Sequence, residues 1–127
     1  LEGENEIYVG CPIQSKKTGV VYYYSSVDDV YVLQQELSAS HGVPNSRFGQ
    51  TQQIAVDGNL LVIGEHVQNG MATVFRRTDI DSNWTEISSI ESPPNSTSYF
   101  SDQVAMSGNN LVIASADNSY AYSLAAC

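Results

Sequence analysis

Asp79, Asp81 and Asn83 set three oxygen-bearing side chains at alternate positions, the spacing with which a calcium-binding loop begins. Such a loop also needs a glycine at its sharp turn and a late acid to close the coordination sphere. Trp84 stands at the glycine's place and Glu86 comes too early, so the segment reads as a polar connection and no metal site is expected. The two histidines, His41 and His66, lack a serine or cysteine at a recognisable nucleophile elbow and read as loop residues, not general bases. Asp28 and Asp29 are neighbours in a turn, whereas a glycosidase pair must converge across a cleft. No catalytic residue and no cofactor is expected.

Other side chains suggest modification or binding. Asn83-Trp84-Thr85 and Asn95-Ser96-Thr97 are acceptor sequons, so Asn83 and Asn95 are candidate glycosylation sites if the chain is secreted. Cys11 and Cys127 can pair with each other or with other segments or partners, and their spacing does not decide between these. Tyr22, Tyr23, Tyr24, Tyr31, Tyr99, Tyr120 and Tyr122 could form a sugar- or peptide-binding platform. Strand alternation sends Tyr22 and Tyr24 to one face and Tyr23 to the other, so at least half should serve packing instead.

The composition limits the partners. Acids outnumber bases 14 to 5 and the net charge is -9, which excludes a phosphate-neutralising nucleic-acid interface. It equally disfavours docking on an anionic membrane surface. No apolar run approaches the roughly 20 residues of a membrane helix. A polar but weakly charged chain, 15% charged residues, suits short strands joined by turns and an exported protein.

The elements that must position these residues come from an internal repeat. FGQTQQIAVDGNLLVIG, starting at Phe48, aligns with YFSDQVAMSGNNLVIAS, starting at Tyr99: Leu61-Val62-Ile63 falls on Leu111-Val112-Ile113. NEIYVG, starting at Asn5, aligns with NLLVIG, starting at Asn59, and Gly19 to Tyr24 aligns with Gly70 to Phe75. An aromatic (Tyr31 or Trp84) follows, with an apolar residue (Leu37 or Ile90) six positions on. The complete unit predicts strands at about 53–56, 60–64, 72–76 and 84–90, with a tight turn at Gly58. LQQEL, from Leu33 to Leu37, has a helical look, but its alignment with the fourth strand of the next unit makes it a strand.

An all-β fold of four-stranded antiparallel units, each about 50 residues, fits the blades of a β-propeller. The expected division is a partial blade at 1–47 (strands two to four), a complete blade at 48–98 and a partial blade at 99–127 (strands one to three). About two and a half blades are then present, where closure takes roughly four to eight. The expectation is that the chain is a piece of a longer polypeptide. Assembly of several copies, or neighbouring segments not included, would serve equally.

The pattern resembles the FG-GAP family, the blades of integrin-α-like propellers. Phe48-Gly49 stands at the FG position and Phe100-Ser101 at a decayed one. Gly10-Cys11-Pro12, Gly64-Glu65-His66 and Ala114-Ser115-Ala116 occupy the GAP position. Val74-Phe75, Tyr23-Tyr24 and Asn83-Trp84-Thr85 match the strands that follow. Family blades often carry a DxDxDG calcium loop between strands one and two. The corresponding turns here, at Asp57-Gly58-Asn59 and Gly108-Asn109-Asn110, are too short to enclose the ion, so calcium is not carried over.

The resemblance implies a non-enzymatic module, extracellular or at the cell surface, for adhesion, ligand binding or construction of an extracellular structure. Its partners would be a protein or glycan ligand, or further copies or segments completing the ring, with no nucleic acid and no membrane insertion. Binding would use the loops at 11–19, 65–70 and 116–119, so Glu65, His66 and Asn69 are candidate contact residues. A lectin-like carbohydrate binder is one alternative. Another is the scaffold of a propeller hydrolase or lyase whose catalytic groups lie on other blades.

Overall fold

A computed structural model describes residues 5–13, 18–40, 47–49, 53–66, 70–93, 100–101, 103–115 and 118–124. They form ten strands and, among the described residues, no helix. The first sheet holds β1 (Glu6–Cys11), β2 (Val20–Val27) and β3 (Val30–Leu37) in chain order. The middle sheet holds β4 (Ile54–Asp57), β5 (Leu60–Ile63), β6 (Ala72–Arg76) and β7 (Thr85–Ile90). The third holds β8 (Gln103–Ser107), β9 (Asn110–Ala114) and β10 (Ser119–Ser123). Every pairing is antiparallel between chain neighbours.

The middle sheet's strands lie within a residue or two of the positions expected from the repeat. LQQEL falls inside β3, where it pairs with β2. The register also reproduces the repeat pair by pair. Tyr8 faces Tyr23 across β1 and β2, Val62 faces Val74 across β5 and β6, and Val112 faces Ala121 across β9 and β10. At the equivalent strand ends, the N–H groups of Ser26, Arg77 and Leu124 donate to the carbonyls of Asn5, Asn59 and Asn109. A β-bulge interrupts β2–β3 after Tyr23 and β6–β7 after Val74, which is the same place in two sheets. A bulge bends its strand and re-aims the side chains beyond it.

The turns differ in chemistry. Gly58 and Gly108 open two-residue hairpin turns with φ of 60° each, a conformation that suits a residue without Cβ. The β2–β3 turn is made by Asp28 and Asp29, with φ of 52° and 66°. Two positive φ values match the right-handed twist of the flanking strands, and a short polar side chain tolerates them.

The sheets pack face to face. Val21, Tyr23 and Leu37 of the first sheet meet Leu61, Ile63 and Phe75 of the middle sheet. On the other face of the middle sheet, Leu60, Val62 and Val74 meet Leu111 and Ile113 of the third. All four residues of β5 are buried, which explains why LLVI is a continuous apolar run and does not alternate. A phenylalanine plugs each junction ahead of the following sheet: Phe48 between the first two and Phe100 between the last two, both fully buried.

Each plug is followed by a residue with positive φ, Gly49 (79°) or Ser101 (65°). Each of these lies against a glycine of the sheet before it. A Cβ on Gly10 would strike the Gly49 carbonyl, and one on Gly64 would strike the Ser101 carbonyl. Ser101 keeps the glycine-like backbone and adds a buried hydroxyl that accepts the Glu65 N–H at 3.0 Å. The short Phe-Gly and Phe-Ser motifs are thus the joints of the stack.

Candidate functional site

The most developed polar constellation sits inside the junction of the first and middle sheets. Arg77 follows β6 and enters this junction with its side chain out of contact with water. Its Nη1 donates to Glu6 Oε2 at 2.5 Å and to the Tyr23 hydroxyl at 3.2 Å, and its Nη2 donates to the Gly58 carbonyl at 3.0 Å. Tyr23 donates to the same Glu6 oxygen at 2.7 Å. The guanidinium carbon lies 4.3 Å from the centre of the Trp84 ring, a cation–π contact. Tyr8 stacks on Tyr23 with ring centres 5.0 Å apart.

Electrostatics follow from this enclosure. Burial, then the hydrogen bond to Glu6 and its charge, push the Tyr23 hydroxyl up to about 12 from an ordinary 10.0. Burial and the Glu6 charge push Tyr8 upward as well. Burial works against the charged form of Arg77, but hydrogen bonding and attraction to Glu6 outweigh it and hold the group above its ordinary value. At neutral pH both tyrosines are therefore neutral and Arg77 is charged. The Arg77, Glu6 and Tyr23 polar groups form a closed structural network bonded to one another.

Beside it opens a cleft of about 220 Å³ between the end of the β2–β3 hairpin and the loop before β7. Its polar lining includes Ser25, Gln34, Asp81 and Asn83, with Tyr23 at the wall. Hydroxyls, amides and one carboxylate are groups that hydrogen-bond a neutral polar ligand. Gln35, next along β3, makes a paired contact to the Trp84 backbone, donating to its carbonyl and accepting its N–H at 2.8 Å each. That contact ties the two walls of the cleft together.

The residues expected from sequence are scattered. Asn83 is exposed at the cleft rim, as an acceptor asparagine must be, while Asn95 lies outside the described residues. Cys11 ends β1 as a half-buried thiol, and Cys127 lies outside the described residues. Glu65, a candidate contact residue on a binding loop, is turned inward and buried. Its carboxylate accepts the Met71 N–H at 2.8 Å and so holds the β5–β6 connection. His66 is half-buried, and Asn69 and His41 lie outside the described residues.

The Asp79–Asn83 segment is a self-bonded turn. Asp79 Oδ1 accepts the Asp81 N–H at 2.9 Å and the Ser82 hydroxyl at 3.0 Å. Among the described residues, no group of three or more His, Cys, Asp or Glu is gathered as a metal would require. Tyr23 is buried in the first junction, Tyr120 and Tyr122 pack against the second, and Tyr31 is exposed. Glu6, Arg77 and Gln35 were not marked by sequence as site residues, and Ser101 was marked only as a decayed FG position. One signal was available: Glu6 is a charged residue where the aligned copies have Leu60 and Asn110.

No family model, no curated protein and no solved structure matches this chain.

Proposed function

We propose that the chain is a set of blades from a β-propeller of the FG-GAP kind. It would serve as a non-enzymatic extracellular or cell-surface module for adhesion, ligand binding or building an extracellular structure. The observation that carries this reading is the recurrence, in three stacked sheets, of one register and one end-of-strand hydrogen bond, with a plugged joint at each of the two junctions. Equivalent strands place equivalent connections at the same end of the stack. The strand ends Cys11, Ile63 and Ala114 would then present their connections on one side, and loops carried on a rigid scaffold are how such folds bind. The weakly charged composition and the exposed Asn83 sequon support an extracellular setting.

A second reading, a carbohydrate binder, is favoured by one observation: the polar cleft lined by Ser25, Gln34, Asp81 and Asn83 at the opposite end of the stack. One binding experiment separates the two. The purified chain is applied to panels of extracellular proteins and of glycans, beside the variants His66→Ala and Gln34→Ala/Asp81→Ala. Saturable protein binding weakened by His66→Ala supports the leading reading. Sugar binding abolished by the cleft variant supports the second. Turnover of ester or glycoside substrates by the purified chain would overturn the non-enzymatic assignment.

A further inference from the structure

The first sheet has an outward face that the middle sheet does not cover. Ile7 and Val9 of β1 are each 40% exposed there, and their cross-strand partners on that face are Tyr24 and Tyr22. Cross-strand partners share a face. Four large apolar side chains thus form a wet square, continued by exposed Leu33 opposite Tyr24. Contiguous patches of this kind on a protein surface mark interaction sites.

The chain shows what covers such a square. In the third sheet, Leu111 and Ile113 pair with Tyr122 and Tyr120 in the same register, so the two squares are position-for-position equivalents. The square of the third sheet packs against the middle sheet, with Leu111 and Ile113 at 0% exposure. The surface it meets is shallow, with Val62 and Val74 paired at its centre beside Leu60 and Ala72. The central row of that surface recurs uncovered, with Asn110 and Ser119 in the places of Leu60 and Ala72. On the outward face of the third sheet, Ala105, Val112 and Ala121 form one cross-strand row, the counterpart of Ala55, Val62 and Val74. Val112 is 45% exposed.

We propose that the outward face of the first sheet is a docking surface for a second copy of this chain, which seats the outward face of its third sheet there. The contact repeats the junction already made between the middle and third sheets, large square on shallow row. It rests on the blade reading above and names the partner. The two surfaces differ, so the contact is head-to-tail, which closes into a ring or propagates. Two copies contribute six sheets, and closed propellers have roughly four to eight.

The test is the solution mass of the chain at high micromolar concentration, with the variants Val9→Glu on the square and Ala121→Arg on the row. Both side chains are exposed, and circular dichroism checks that the β-structure is kept. The chain of 13.8 kDa should run as two or more copies, and each variant alone should lose most of the assembly. Mixing the two variants should restore a one-to-one pair, because one retains the square and the other the row. A folded monomer, or an assembly untouched by Ala121→Arg, would overturn the proposal while leaving the binding reading intact. The blade reading fails separately, if amide exchange finds β5 as open as the edge strand β3 whatever the mass.

Discussion

Between the first and middle sheets the two positions that meet are Glu6 and Arg77; between the middle and third sheets the same two positions are Leu60 and Leu124. The register makes the equivalence firm. Glu6 and Leu60 open equivalent strands, and Arg77 and Leu124 make the same backbone bond one residue past the next. Around them Tyr8 and Tyr23 are replaced by Val62 and Val74. At these positions one junction carries an aromatic-walled ion pair and the other aliphatic side chains, yet both hold sheets in the same stacking. The repeat thus specifies shape, and charge at this position is an option.

Buried ion pairs gain little over well-packed apolar residues but are costly to break singly. The largest expected effect is therefore from Arg77→Leu, which strands Glu6 and should cost about 3–5 kcal/mol in urea unfolding. Glu6→Leu combined with Arg77→Leu converts the first junction to the chemistry of the second. It should return stability to the parent level or exceed it by about 1–4 kcal/mol. A double variant as unstable as the single one would break the comparison.

In the second junction, Leu124→Ala removes apolar volume alone and should cost about 2–5 kcal/mol, unrescued by any change at Leu60. Ser101→Ala keeps the positive-φ backbone but leaves the buried Glu65 N–H without its acceptor. A loss of about 1–3 kcal/mol is expected, read as a lower thermal midpoint.

The smallest effect separates the junctions by pH. Tyr23 ionises at about 12 when folded and near 10.0 when unfolded, so above the lower value the unfolded chain releases its proton first. The stabilisation is complete below the lower value and is lost as pH rises through the upper one. Urea midpoints should fall across that window, and Tyr23→Phe should make the fall shallower. An unchanged slope would remove Tyr23 from the network's energetics.

Much of the fold was legible because strands announce themselves locally. LLVI at β5 and the Gly58 and Gly108 turns are short-range signals, and aligning the copies turned LQQEL from an ambiguous segment into β3. The Glu6–Arg77 pair was not legible for a physical reason. A repeat search aligns like positions, whereas this contact joins unlike positions of two different copies, 71 residues apart. The burial of Glu65 was not legible for a related reason. Loop position suggested exposure, but its burial depends on the backbone of Met71 needing an acceptor.

The fully enclosed β5 strand carries a consequence for how the chain reaches this state. Both of its faces are covered only when the first and third sheets are in place, so the middle sheet alone would leave both apolar faces of β5 in water. Hairpins can close early, since every strand pair joins chain neighbours and such local closures are fast. Cooperativity then arises when sheets dock, and the unit that folds is the junction. Removing one outer sheet would strip a face from β5 and weaken what remains, as losing a neighbour does in any stacked repeat.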